Sequence, residues 1–540
     1  MLQPENQSKK YHHLFTDIDV GRIKIPKFQR DFVWSKGQTA KLIDSIIKGF
    51  PIGTFIFWKT FEELRYVKNI GNVSLPDPPK GDAVFYVLDG QQRLTSLYAV
   101  QKGLRMTKDG RELDYKDISI NLACDPDEDD QVVTVEPPPD TLSISVYKLL
   151  NGSLREFLQE YEDEIEKIDV YRKRLTGYDF STIVISEYPI DIACEVFTRI
   201  NTGGTELTLF EIMVAKTYDQ ERDFDLAREY EYLIDNNGAE KDLEDAGFDT
   251  IPSSTVLQCI ASHISQQVRR KDILRLNKTE FIDSWSTVKD GIFAAVDYMR
   301  THLRIPVSRL LPYNALLVPF TYFCIRNNGE TPSPLQHKLL TQYFWWASLS
   351  RRFSSGVEGK IALDLKRMDD ILLEHPPSYQ GEEISLTMED LRWHWFSTGD
   401  AFCKAILCLY AYFEPKSFAT NGLVKIDNSW LKVASSKNYH HFFPKAYLRK
   451  AGFERWQANV ILNITIVDDY LNKRRIRAKS PSEYMQQFAE DNSLLASTME
   501  THLIDDMEAY GIWDDEYRTF IEHRGERVLG ELESRLHPDL

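Results

Sequence analysis

VFYVLDGQQRLTSLYAVQKG, residues 84–103, decides the reading of the first part of the chain. Val84–Leu88 is rich in β-branched and aromatic residues and reads as a buried strand. Asp89-Gly90 is turn chemistry. From Leu94 onward the apolar residues recur at helical spacing, so the segment predicts strand, tight turn and helix. A glycine at such a turn lets the backbone approach a ligand closely. A helix N-terminus presents N–H groups to an anion. Arg93 adds a guanidinium fork for phosphate, and Gln91 and Gln92 can reach phosphate, sugar or base. The ingredients suit a nucleotide, although a D-G turn before an amphipathic helix is by itself more often only a turn.

Outward from this segment, strands and helices alternate. IKIPKFQRDFVW (23–34) reads as a strand after a short helix or turn, QTAKLIDSIIKGF (38–50) as an amphipathic helix, and IGTFIFWKT (52–60) and STIVISEY (181–188) as buried strands. EVFTRINTGGTELTLFEIMVAKTY (195–218) reads as helix, Gly-Gly turn, helix. Two further basic and polar groups accompany the DGQQR turn: Gln29-Arg30 after the early strand, and Asn201, Gly203 and Gly204 at the Gly-Gly turn. A surface arginine and a helix C-cap account equally well for these taken singly. The first 215 residues predict an α/β or α+β domain. From 216 to 425 strands nearly vanish and the apolar period is helical. Short apolar runs return near 426–480, followed by a helical tail. The expected domains are therefore 1–215, 216–425 and 426–540, in a multidomain α+β protein.

The chain has 540 residues, with 65 Lys/Arg against 82 Asp/Glu for a net charge of −17. Forty-two per cent hydrophobic and 27 per cent charged residues exclude wholesale disorder. No stretch reaches the roughly 18 apolar residues of a membrane span, and the first residues lack the apolar core of a secretory signal, so the cytoplasm is the expected location. Six scattered cysteines without a CxxC pair argue against a disulfide framework or a cysteine zinc site. The acidic balance excludes a general nucleic-acid coat protein, but charge is unevenly spread. Lys437–Lys479 holds ten Lys/Arg against three acids, a local +7, whereas Pro481–Leu540 holds fifteen acids against four arginines, or −11. A local basic patch on an acidic body still steers phosphate.

IPKFQRDFVW, LIDSIIKGFPIG, LDGQQRLTSL and VFTRINTGGTELTLFEI, in this order, resemble the N-terminal domain of the GmrSD family of modification-dependent (type IV) restriction enzymes. FWWASLSRRFSSGVEGKIALDL resembles that family's helical-domain motif. The resemblance implies a ParB/sulfiredoxin-like fold that binds and hydrolyses an NTP (GTP, ATP or UTP). It places Asp89, Gly90, Gln91, Gln92 and Arg93 on the nucleotide, with Gln29 and Arg30 in the same pocket and Asn201, Gly203 and Gly204 as further candidates.

The C-terminal basic segment carries its own constellation. His440 and His441 precede Phe442-Phe443-Pro444, Asn463 lies in VILNITIV (460–467), and Asn472 follows. A phosphodiester hydrolase needs a base near neutral pH and a divalent metal on the phosphate. A neutral imidazole supplies the base, and an asparagine oxygen can hold its other nitrogen. HH alone decides nothing, because Tyr11-His12-His13-Leu14-Phe15 imitates the motif without its proline or asparagines and reads as structural or solvent-facing. The full arrangement is similar to the HNH (His-Me finger, ββα-metal) nuclease domain that follows the NTPase domain in the GmrSD family. The resemblance makes His440 and Asn472 metal ligands for Mg²⁺, Mn²⁺ or a similar ion. It makes His441 the general base and Asn463 the residue that orients it, with Lys445, Lys473, Arg474, Arg475 and Arg477 on DNA phosphates.

The resulting expectation is an NTP- and metal-dependent endonuclease acting on double-stranded phage DNA that carries hydroxymethylated or glucosylated cytosine. One HNH site per chain suits a homodimer. The alternatives are a nucleotide-sensing DNA-binding module and a partner-controlled general nuclease effector. Trp34, Trp58, Trp345 and Trp346 could stack on a base, but tryptophans in apolar runs are more often core.

Overall fold

The computed structural model describes residues 3–538 except 28–31, 63, 79–80, 109–110, 128–130, 138–140, 201–207, 239–240, 429–438 and 468–470. The architecture is mixed α/β, with a mixed sheet in the N-terminal part and helices dominating the rest. The chain divides into two compact units, Met1–Leu226 and Ala227–Leu540. Among the described residues no helix is long and apolar enough to cross a membrane.

The first unit is built on five strands: β1 (Glu5–Lys10), β2 (Ile23–Lys24), β3 (Phe55–Thr60), β4 (Val84–Asp89) and β5 (Asp179–Ser186). Their order is β1-β5-β3-β4-β2. β5 runs parallel to β3 and β2 parallel to β4, while the β3–β4 and β1–β5 pairs are antiparallel. Helices α1 (Tyr11–Asp19), α2 (Lys36–Ile47) and α3 (Gln91–Lys102) flank the sheet. Leu14 and Ile18 of α1, Ile43 and Ile46 of α2, and Leu94 and Leu97 of α3 share one core with Phe55, Phe57 and Val87. Burying such a side chain is worth about 1.5–3 kcal/mol, so it is these faces that fix the helices on the sheet.

Local chemistry sets the element ends. α2 starts at Lys36 because Ser35 accepts from Gln38 N while the Gln38 side chain returns to Ser35 N, a capping box. Asp44 on α2 is buried, and its Oδ1 accepts from Val132 N and Val133 N at 2.7 and 3.0 Å. That clamps α2 to a second, three-stranded sheet of Ile118–Asn121, Val133–Val135 and Ser143–Ser145. Among the described residues of the strand expected over 23–34, Ile23–Lys24 is strand. Pro26 has no N–H to give to a ladder, and it makes only an isolated bridge to Tyr66. His12 and His13 lie on the exposed face of α1 with ring centroids 3.9 Å apart, as the solvent-facing reading expects.

In the second unit, long helices such as α4 (Lys278–Thr301), α5 (Leu317–Arg326), α6 (Pro334–Leu349), α7 (Val357–Leu372) and α8 (Ala401–Tyr412) carry the core. The SRRF motif after α6 is a structural hub. Arg352 is buried and pairs with Asp364 at 2.8 Å and Glu382 at 2.6 Å. Arg367 joins the same two carboxylates, and Tyr343 Oη donates to Asp364 Oδ2 at 2.9 Å. The Arg352 guanidinium lies 5.0 Å from the Trp346 ring. Trp58, Trp345 and Trp346 are core residues, as their apolar context predicts. The strands β6 (Tyr439–His441) and β7 (Ile464–Ile466) form a two-stranded antiparallel pair within this unit. Helix α9 (Tyr517–Leu536) covers them, with Phe520 stacked on Phe442 at 4.7 Å.

Candidate functional site

The DGQQR turn is folded as its sequence predicts. β4 ends at Asp89, Gly90 has φ +93°, and α3 begins at Gln91. Only a residue without a Cβ fits here, because a Cβ on Gly90 would lie 2.5 Å from Phe55 Cδ1. No side chain caps the N-terminus of α3. Arg93 is half committed to the protein itself. Its Nη1 donates to Ile52 O at 2.7 Å and its Nη2 to Thr54 O and Asp89 Oδ2 at 3.0 Å each, while the guanidinium lies 5.1 Å from the Phe55 ring. Gly53 (φ +86°) allows this, since a Cβ there would stand 2.5 Å from Arg93 Nη1. Arg93 therefore ties the turn before β3 to the end of β4, a positioning role the sequence reading did not foresee. Three of its five N–H groups are used in these bonds.

Gln92 is buried, and its Oε1 accepts from Val33 N at 2.8 Å and Trp34 N at 3.3 Å. It holds the chain immediately after the segment containing Gln29 and Arg30. Those two residues lie outside the described residues, as do Asn201, Gly203 and Gly204 at the end of helix Ile190–Ile200.

The C-terminal constellation is assembled by β6 and β7. In register, His440 faces Thr465 and His441 faces Ile464. After β7 comes the π-type helical segment Leu471–Ile476 that carries Asn472, so strand, strand and helical turn follow one another here. His440 is buried, 6.3 Å from the Tyr484 ring. His441 Nε2 lies 3.0 Å from Asn459 Oδ1. The Asn459 amide is oriented by its other end, because its Nδ2 donates to Phe396 O at 3.0 Å. An oxygen therefore meets the imidazole, Nε2 carries the proton, and Nδ1 keeps its lone pair. Burial, and next the Lys445 ammonium, push the His441 pKa down to about 3, partly opposed by the Asn459 bond. Burial thus favours the uncharged ring.

Asn463 does something other than orient His441. It is fully buried, its Oδ1 accepts from Phe443 N at 2.8 Å, and its Nδ2 donates to Phe443 O and Ala458 O at 3.0 Å each. It fixes the turn after His441 against the loop that carries Asn459. The orienting contact belongs to Asn459. The sequence offered both asparagines four residues apart in NVILN, and spacing alone does not choose between them. The basic residues also divide. Lys445 is exposed at the start of helix Lys445–Lys450. Arg475 is spent on an ion pair with Asp491 and lies 5.1 Å from the Phe488 ring. Arg477 is exposed with φ +53°. The side chains of Asn472, Lys473 and Arg474 lie outside the described ones. Among the described residues, one group of His, Cys and acidic side chains gathers its ligand atoms within 4.8 Å: His394, Asp400 and Cys403.

Residues 11–218 match the family model described as the N-terminal domain of GmrSD restriction endonucleases. The chain is also similar to an uncharacterized protein of Methanocaldococcus jannaschii, with 24% identity over 520 residues, covering 87% of this chain and 85% of that protein. The family match lies within the first compact unit and includes the DGQQR turn.

Proposed function

We propose that this protein is a restriction-type DNA endonuclease in which residues 439–472 cleave the phosphodiester bond and the first unit binds and hydrolyses an NTP (GTP, ATP or UTP) that governs cleavage. The observation that carries the reading is His441, a half-buried imidazole at the end of β6 held in one tautomer by Asn459. A fixed tautomer leaves one ring nitrogen with its lone pair open to accept a proton from water. Nδ1 would take the proton of the attacking water, and Nε2–H would stay on Asn459 Oδ1. The donor set of His440 and Asn472, one imidazole and one amide oxygen, suits a borderline or hard divalent ion such as Mn²⁺ or Mg²⁺. Bound there, the ion would stabilise charge developing on the phosphate. Lys445, exposed and near enough for its charge to act on His441, supplies a cation for the DNA backbone. The match of residues 11–218 to a restriction endonuclease domain supports a restriction-type defence role; the proposal adds modified phage DNA as substrate, a cytoplasmic setting, and a homodimer to cut both strands.

The test is cleavage of unmodified DNA and of DNA carrying hydroxymethylated or glucosylated cytosine, with divalent metal, with and without NTP. The expected result is cutting of modified DNA that needs NTP and is lost in His441→Ala. Unchanged cutting by His441→Ala would refute the site. NTP-independent cutting of every substrate would replace the restriction reading by a general nuclease.

A further inference from the structure

A cavity of about 580 Å³ opens in the second unit, lined among others by Arg351, Glu389, Trp393, His394, Trp395 and Phe402. This size is that of a small-ligand site. Several side chains of its wall could meet a ligand. Arg351 sits just after α6 with φ +55°, a conformation costing a non-glycine residue on the order of 1 kcal/mol. Its neighbour Arg352 is buried in ion pairs, whereas the Arg351 side chain is exposed and makes no hydrogen bond or ion pair among the described residues. Trp395 is 44% exposed and Trp456 52%, the two exposed tryptophans among the described residues. The Trp393 ring lies 5.7 Å from that of Trp456. His394 is held in place, its Nε2 2.7 Å from Asp400 Oδ2.

The cavity wall is bonded directly to the loop that orients His441. Residues 394–396 run alongside 459–461: Ile461 N donates to His394 O and Phe396 N to Asn459 O, each at 2.9 Å, and Trp395 bridges Val460. Asn459, from the same loop, holds His441. The cavity wall and the loop that holds His441 are thus joined by one short backbone pairing.

The lining selects the ligand. Exposed indole faces stack planar bases, and an unpaired guanidinium takes a phosphate. Glu389 on the rim, beside the capping carboxylate of Asp390, repels a free triphosphate. It also accepts from the exocyclic amino group of a cytosine or adenine. We propose that this cavity receives one nucleotide turned out of the DNA strand held at His441, with its base against Trp395 and its phosphate on Arg351, and that it prefers an amino-bearing base. The proposal rests on the reading of 439–472 as a nuclease site.

The experiment uses the full chain in a His441→Ala background, so that binding is read without cutting. The probes are labelled duplexes of about 20 bp that are fully paired, carry one mismatched cytosine, or carry an abasic site at that position, since a mismatched base leaves the stack most readily. Fluorescence anisotropy should show the mismatched duplex binding about tenfold more tightly than the paired one. That gain should vanish with the abasic probe and in Trp395→Ala and Arg351→Ala. Both variants should keep the parent's circular dichroism and its affinity for paired DNA. A gain that persists in both variants, or equals that of the abasic probe, overturns the proposal. So does tight binding of free dCTP weakened by Trp395→Ala with no gain on DNA, which would make the cavity a free-nucleotide site. Cleavage by the unmutated chain separates the two claims: cutting without the mismatch gain removes only the cavity proposal, and absence of both cutting and DNA binding removes both.

Discussion

Replacing Arg524 should unseat the candidate nuclease site from behind. This arginine, on α9, is 1% exposed. Its Nη1 donates to Leu462 O and Ile464 O at 2.8 Å each and its Nη2 to His502 O at 3.1 Å. The guanidinium lies 4.7 Å from the Tyr410 ring, and among the described residues no carboxylate pairs with it. Two of the three carbonyls flank Asn463, so the same cation organises the approach to β7 and, through it, the register of His441. In Arg524→Met the stem volume is kept and all three carbonyls lose their donor. A buried polar group left unpaired costs about 1–3 kcal/mol, which sets a ceiling near 9 kcal/mol. Relief of the several kcal/mol needed to bury the cation offsets part of this, leaving a net loss of about 2–4 kcal/mol. Arg524→Lys should fall between, because an ammonium cannot reach three carbonyls as a planar fork does. Urea unfolding followed by tryptophan fluorescence would read the loss as a lower midpoint for the second unit, with cleavage failing before the far-ultraviolet signal does. If Arg524→Met is as stable as the parent to within about 1 kcal/mol, or more stable, the carbonyl ties do not hold this region and the argument fails.

Three further outcomes follow from the same geometry. Asn459→Ala should lower the cleavage rate by about 10- to 100-fold by freeing the His441 tautomer, whereas Asn463→Ala, which strips three buried backbone bonds, should cost about 2–4 kcal/mol of stability; parallel unfolding and rate measurements distinguish them, and the reverse pattern would restore Asn463 as the orienting residue. Gly90→Ala forces a Cβ to within 2.5 Å of Phe55 at φ +93° and should destabilise the first unit by about 2 kcal/mol or more, visible as a lower melting temperature in the absence of nucleotide. His502 is buried, with Nδ1 2.8 Å from Thr465 Oγ1 and Nε2 2.8 Å from Lys416 O, and burial pushes its pKa down to about 3. Its folded pKa lies below the unfolded value near 6.5, so its contribution is fully present above about pH 6.5 and is lost as pH falls toward 3. At pH 5 the loss is about 2 kcal/mol. His502→Gln should flatten that part of the pH–stability profile, and an unchanged slope would show that another group carries it.

The DGQQR segment was legible because its signals are local. Alternating β-branched and aromatic residues, a D-G turn and a helical apolar period all fall within twenty consecutive residues, and each depends on backbone sterics or on a single buried face. The helical middle was legible for the same reason. β1 was not: ENQSKK has no apolar period, and it becomes a strand because its backbone pairs with β5 from Glu5↔Val184 to Lys10↔Asp179. The exposed Trp395 and the left-handed Arg351 were equally invisible, since composition does not say which indole faces a cavity.

The sequence by itself determined the turn that needs Gly90, the mixed character of the first unit, the neighbouring histidines and the basic patch, all of which depend on residues close together in the chain. The tertiary structure decided which asparagine holds His441, that Arg93 is partly consumed in bracing β3 to β4, and that Arg475 is paired away. Each of these is a competition among polar groups for a partner within hydrogen-bonding distance. Distance across the fold settles that competition, and spacing along the chain does not.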